Sequence, residues 1–123
     1  MYDFPDDSNL QNILSHHYEQ GKIVSAICHG VGGLVNVKLS NDEYMIKGKK
    51  VTGFNWFEEA VAGRRKQVPF NLEASLKERT DGYGKAFIPM TSNVVVDGNL
   101  ITGQNPFSSK AMAKVLVDEL QKK

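Results

Sequence analysis

Apolar positions along the chain follow patterns that each predict an element. Leu10, Ile13, Leu14 and His17 repeat at the i, i+3, i+4, i+7 spacing of one helical face, with Asp7 or Ser8 to cap the start and Gly21 to stop it. Ile23-Val24-Ser25-Ala26-Ile27 is a short, nearly continuous apolar run, the pattern of a strand buried on both faces in a parallel sheet. Cys28 stands at its C-terminal end. His29 to Val35, with glycines at 30, 32 and 33, reads as a sharp turn opening into a short helix, because glycine permits the dihedrals and close approach such a turn requires.

Further along, Glu43 to Ile46 and Lys50 to Phe54 read as two short strands around a turn at Lys47-Gly48. Asn55 with Glu58 three residues on makes a capping box, and Gly63 ends the helix it starts. Asn71 caps a second helix over Leu72 to Arg79, with Gly82 just beyond. "SNVVVDGNLITG" predicts a hairpin whose β-rich arms meet at Asp97-Gly98, a pair that favours a type I′ turn. A last helix starts at Ser108 or Ser109, carries Met112, Val115, Leu116 and Leu120 on one face and frays at Lys122-Lys123. This alternation of helices and strands predicts a layered α/β domain.

Composition narrows the function. A chain of 123 residues, 41% hydrophobic and 24% charged, suits a single soluble globular domain. Fifteen basic against fourteen acidic side chains leave a net charge of +1, which implies no nucleic-acid partner. Apolar runs are too short to span a bilayer, so no membrane association is expected. A lone cysteine forms no internal disulfide, and "MYDFPDDSNL" lacks the basic and apolar regions of a secretion signal, so the expected compartment is the cytoplasm.

The one thiol is therefore the centre of the chemical question. A nucleophile on a strand-to-helix turn gains exposure at the sheet edge, a helix N-terminus that stabilises negative charge, and free backbone N–H groups. Those neighbours lower a thiol's pKa, His29 can serve as base, and the His29 backbone N–H forms one arm of an oxyanion hole. A buried cysteine that merely packs fits the same position equally well. Other candidates are weaker. Adjacent His16 and His17 diverge by about 100° on a helix and have no further ligand at suitable spacing, so no metal site is expected. Arg64-Arg65-Lys66 follows a helix end, where cations suit the dipole, and Trp56 and Phe57 suit a core or a pocket wall. The glycines at 30, 32 and 33 lack the lysine of a phosphate loop and the full dinucleotide fingerprint.

Four ordered segments decide between the two readings of the thiol. "AICHG" at Ala26 to Gly30, "KGKKVTGF…EE" from Lys47 to Glu59, "VPFNLEASLKE" from Val68 to Glu78 and "DGNLITGQNPFSS" from Asp97 to Ser109 together resemble the ThiJ/PfpI superfamily. Within it the chain is most similar to the heat-shock chaperone and glyoxalase III branch. The resemblance implies a flavodoxin-like, doubly wound sheet with helices on both faces and a site at the C-terminal edge of the strands. It makes Cys28 the nucleophile, His29 its partner and Glu59 the triad acid, with Gly30 and Asn105 shaping the site. The implied activity is conversion of methylglyoxal or glyoxal to a hydroxy acid without glutathione, metal or other cofactor, by a homodimer. Peptidase or amidase activity and a stress-chaperone role are the rival implications. The family's N-terminal βαβ half, with a glutamate that bonds the cysteine and a "GGHG" segment that completes the oxyanion hole, has no counterpart here. "MYDFPDD" resembles the stretch that the family carries just after its "GGHG" segment. Residues 1–123 are thus expected to be the C-terminal portion of one such domain, cut from a longer parent, with exposed strand edges that invite self-association.

Overall fold

A computed structural model describes residues 1–122. Its main sheet has three strands in the order β1-β5-β4: β1 (Val24–Ile27), β4 (Val94–Asp97) and β5 (Leu100–Gly103). β1 runs parallel to β5 with Val24 level with Leu100 and Ile27 level with Gly103, while β4 pairs antiparallel with β5. Every residue of β5 is buried, as the central strand requires. A second, two-stranded parallel sheet joins β2 (Lys50–Val51) to β3 (Gly82–Tyr83). Four α-helices complete the fold, α1 (Ser8–Glu19), α2 (Trp56–Val61), α3 (Leu72–Arg79) and α4 (Ser109–Gln121). The architecture is α/β and flavodoxin-like over part of that fold.

Local signals account for the helices. The Asp7 side chain accepts from the Leu10 N–H at 3.0 Å, and Gly21 ends α1 at φ 77°. The capping box at α2 is complete, with Asn55 Oδ1 accepting from the Glu58 N–H and Glu58 Oε1 accepting from the Asn55 N–H. Asn71 caps α3 through the Ala74 N–H. α4 ends at Gln121, and Lys123, where fraying was expected, lies outside the described residues. Of its predicted face only Met112 is buried; Leu120 is exposed.

Three expectations are corrected. Glu43 to Ile46 and Lys50 to Phe54 do not form a hairpin. Residues 44–49 fold into successive turns instead, closed by the Lys47 N–H on the Tyr44 carbonyl and the Lys49 N–H on the Ile46 carbonyl, with Met45 and Ile46 both buried. β2 pairs with β3 because Thr80 Oγ1 donates to the Lys49 carbonyl at 2.5 Å and Gly82 lets the backbones close. A Cβ at Gly82 would sit 2.5 Å from Lys49 O. The β4–β5 turn has Gly98 and Asn99 as its central residues, and only Gly98 (φ 60°) is left-handed, the pattern of a type II′ rather than a type I′ turn. The short helix expected after β1 is present and is wound as a seven-residue 3-10 helix, Cys28–Leu34. Finally, β1 pairs on one side only among the described residues, and Ser25 is exposed, so it is not buried on both faces here.

The core gathers Val24, Val31, Leu34, Val51, Leu72, Leu76 and Leu100 under β1, β5 and the 3-10 helix. α4 seats against β5 at Gly103, where an added Cβ would lie 2.8 Å from Met112 Sδ and 3.0 Å from Ile27. Asn99 Nδ2 donates to the carbonyls of Tyr18 and Lys22, tying the hairpin to the α1–β1 connection. Ile101 is fully buried in the central strand, so Ile101→Ala is expected to cost about 2–5 kcal/mol in urea unfolding. A loss below about 1 kcal/mol would show that β5 is not the core strand.

Candidate active site

Cys28 closes β1 in a conformation a side chain rarely takes. Its φ is 59°, in the left-handed region, at a cost on the order of 1–3 kcal/mol for a non-glycine residue. The turn lifts the residue off the strand axis, and its carbonyl accepts from the Phe54 N–H at 3.4 Å. The thiol is half-buried and forms no disulfide.

His29 follows directly, and its two ring nitrogens face different partners. Nδ1 lies 3.6 Å from Cys28 Sγ, and Nε2 lies 2.8 and 3.0 Å from the two oxygens of Glu59. A carboxylate only accepts, so Nε2 carries the proton and donates it to Glu59, leaving the Nδ1 lone pair toward the thiol. That is the tautomer a base needs. Glu59 is 1% exposed, and the Phe54 ring packs on the imidazole with centroids 4.5 Å apart at 44°. Sequence reasoning had given Phe54 no role; no local pattern distinguishes a ring that backs a histidine from one that ends a strand.

The electrostatics differ from those expected of the turn. Burial pushes the Cys28 thiol above the ordinary range, the His29 backbone N–H pulls it part of the way back, and the Glu58 and Glu59 carboxylates push it up again. The balance favours the protonated sulfur.

The remaining sequence-predicted residues sit apart from this triplet. Gly30 lines a small cleft with Phe4, Leu10 and Leu14, and an added Cβ there would meet nothing within 4 Å. Asn105 is buried, but its amide reaches Glu58 Oε2 at 2.6 Å and the Thr91 carbonyl at 2.7 Å rather than the thiol or the imidazole. His16 bonds Gln20 along α1, away from any ligand set. Arg65 bonds the Trp56 carbonyl and stacks on the Trp56 ring at 4.7 Å, which accounts for both residues structurally.

Above His29 and Glu59 opens a cleft of about 330 Å3, walled by Tyr2, Arg64, Gln67 and Val68. The Tyr2 hydroxyl donates to the Gln67 carbonyl and closes one side, and Arg64 Nη1 donates to Gln67 Oε1 at 2.5 Å. The cleft suits a small molecule with a few polar atoms. No helix among the described residues is long and apolar enough to cross a membrane.

Comparison with known proteins gives this geometry a context. Residues 2–119 match the DJ-1/PfpI family. The chain is 31% identical over 122 residues to Glyoxalase 3 of Candida albicans, covering 95% of this chain and 52% of that protein. It is 30% identical over 128 residues to the glutathione-independent glyoxalase HSP31 of Saccharomyces cerevisiae, covering 98% and 53%. Among solved structures, glyoxalase III of Candida albicans superimposes with a TM-score of 0.86 at 30% identity, covering 95% of this chain and 51% of that one. The 24-kDa rapid encystment protein of Francisella tularensis also gives 0.86, at 40% identity over 93% and 50%. The chain thus spans about half the length of the curated relatives it matches.

With the thiol shifted upward, the rate of iodoacetamide alkylation is expected to rise with pH along a curve whose midpoint lies above the free-thiol value of about 8.5. A midpoint at or below about 8 would mean that the turn stabilises the thiolate after all.

Proposed function

Because the chain belongs to the DJ-1/PfpI family, we propose that it carries the reacting groups of a glutathione-independent glyoxalase acting on methylglyoxal or glyoxal. The single observation that carries this reading is the relay of sulfur, imidazole and carboxylate, with Nδ1 3.6 Å from the thiol and Nε2 2.8 Å from Glu59. The curated relatives named as glyoxalases support the substrate class.

In this proposal Nδ1 of His29 takes the thiol proton as Cys28 Sγ attacks the aldehyde carbon, forming a C–S bond and a hemithioacetal. The imidazolium is held by Glu59, which is why a thiol pushed upward by burial can still react. The imidazolium returns that proton to the new alkoxide, which completes the hemithioacetal and leaves His29 neutral. His29 then removes the proton from the former aldehyde carbon and delivers it to the neighbouring carbonyl carbon, while the hemithioacetal hydroxyl proton passes to that carbonyl's oxygen, so the first carbon is oxidised to a thioester and the second reduced to an alcohol. Water cleaves the C–S bond, releasing the hydroxy acid and restoring the thiol. The net change is dicarbonyl plus water to hydroxy acid, with no external oxidant, reductant or cofactor. A cleft of about 330 Å3 opens beside the imidazole and Glu59, with Cys28 outside its walls.

The same proposal places the reaction in the cytoplasm, a compartment that suits an unpaired thiol. It also makes the working unit a homodimer.

In the natural protein carrying this chain, Cys28→Ala is expected to abolish lactate formation from methylglyoxal while the circular dichroism spectrum is unchanged. Glu59→Gln is expected to lower kcat by about 100-fold or more, the usual loss when a general base is disoriented. Lactate production retained in Cys28→Ala would remove the covalent mechanism, and Cys28-dependent cleavage of a fluorogenic peptide without dicarbonyl turnover would replace it by acyl chemistry.

A further inference from the structure

Glu58 precedes Glu59 in sequence and is as deeply enclosed, with none of its surface exposed. The capping box uses only one of its acceptor directions. Its Oε1 accepts from the Asn55 N–H at 3.3 Å and from Gln104 Nε2 at 3.0 Å, and its Oε2 accepts from Asn105 Nδ2 at 2.6 Å and from the Met90 N–H at 3.0 Å. A buried carboxylate is tolerated only when its lone pairs are filled, and here neutral donors do it rather than a cation.

Each donor is fixed in turn. Gln104 Oε1 accepts from the Ala86 N–H at 2.8 Å and from Asn93 Nδ2 at 3.0 Å. Asn105 Nδ2 also reaches the Thr91 carbonyl, while its Oδ1 accepts from Ser108 Oγ at 2.9 Å. Met90 is held at φ 66° beside the carboxylate. Glu58 is therefore the point where the start of α2, the loop of residues 86–93 and the turn after β5 meet.

The importance of Glu58 to the site lies in the poverty of α2. That helix has six residues, and its only buried side chains are Glu58 and Glu59; Phe57 and Val61 point to solvent. Apolar packing cannot fix its rotation. Glu73 and Arg65 hold the Trp56 backbone at its first residue, which anchors the end but not the angle about the axis. Two adjacent carboxylates on a first helical turn share one rotation, so anchoring the first aims the second.

We propose that Glu58 is a positioning residue: through its bonds to Gln104, Asn105 and Met90 it sets the rotation of α2 that brings the Glu59 carboxylate to His29 Nε2. The consequence for turnover rests on the glyoxalase reading, but the positioning does not, and it is tested without any dicarbonyl.

The readout is the tautomer of His29 in a 15N-labelled chain, followed by long-range 1H–15N correlation and assigned with His29→Gln. The unaltered chain is expected to hold the Nε2–H form because Glu59 accepts that proton, and Glu59→Gln serves as the reference for its loss. Glu58→Gln is expected to lower the Nε2–H to Nδ1–H ratio about fivefold, the loss of roughly one net hydrogen bond. Asn105→Ala, which keeps the Glu58 charge and removes one of its anchors, is expected to shift the ratio in the same direction by about half as much on a logarithmic scale. A shift in Glu58→Gln with none in Asn105→Ala would mean that the charge acts through space, and the proposal fails. No shift in either variant, with cooperative thermal unfolding retained, also overturns it. Should Glu58→Gln fail to fold, Asn105→Ala and Gln104→Ala decide alone, an unchanged ratio in both overturning the proposal.

Discussion

The parallel pairing of β1 with β5 is the constraint on which the site depends. It sets Ile27 level with Gly103, so the two strands end together and the residues just beyond them, Cys28 on one side and Gln104-Asn105 on the other, emerge at one sheet edge. A slip of one residue would turn every β1 side chain to the opposite face. Behind β5, α4 packs closely, and a Cβ added at Gly103 would meet Met112 Sδ at 2.8 Å and the Ile27 side chain at 3.0 Å. From that edge the Cys28 carbonyl takes the Phe54 N–H, which delivers the capped start of α2 to the thiol. The geometry of the candidate site is thus inherited from strand register rather than built by the site itself.

Two neighbouring glutamates then divide the work. Both are almost wholly enclosed, yet Glu59 faces a half-exposed imidazole that can gain and lose a proton, and Glu58 faces neutral amides that cannot. In the proposed reaction the first would respond to proton transfer and the second would resist change. Their shared cost is visible at the sulfur, which burial, Glu58 and Glu59 all push toward the protonated form against the single pull of the His29 backbone N–H. A site so disposed favours proton transfer during attack over a standing thiolate, and it keeps an accessible thiol from reacting indiscriminately.

Legibility in the sequence followed the range of the interaction. The caps at Asp7, Asn55 and Asn71 and the 94–103 hairpin depend on residues two to four apart, and the chain spells them out. Even there, the hairpin's turn type was missed, because its centre is Gly98-Asn99 rather than Asp97-Gly98. The triplet Cys28, His29 and Glu59 was found through motif resemblance, since nothing local places a histidine beside an acid thirty positions away. Glu58 read only as half of a capping box. Its other partners lie 32, 46 and 47 residues away, and no periodicity announces them. The β2–β3 pair failed for the same reason: the partner of Lys50 is Gly82, and two-residue strands carry no pattern of their own. The short helix after Cys28 is legible, but its 3-10 winding is not. Glycines at 30, 32 and 33 announce a tight turn but not how the turn is wound.

The account stands or falls on a carbon–sulfur bond at Cys28. The most direct measurement is peptide mass mapping of the natural protein, with His29→Ala beside it, acid-quenched during exposure to methylglyoxal. The account predicts an adduct of one methylglyoxal on the peptide containing Cys28, transient in the unaltered protein and, in His29→Ala, slow both to form and to clear. Steady lactate formation with no adduct on that peptide at any quench time would contradict it.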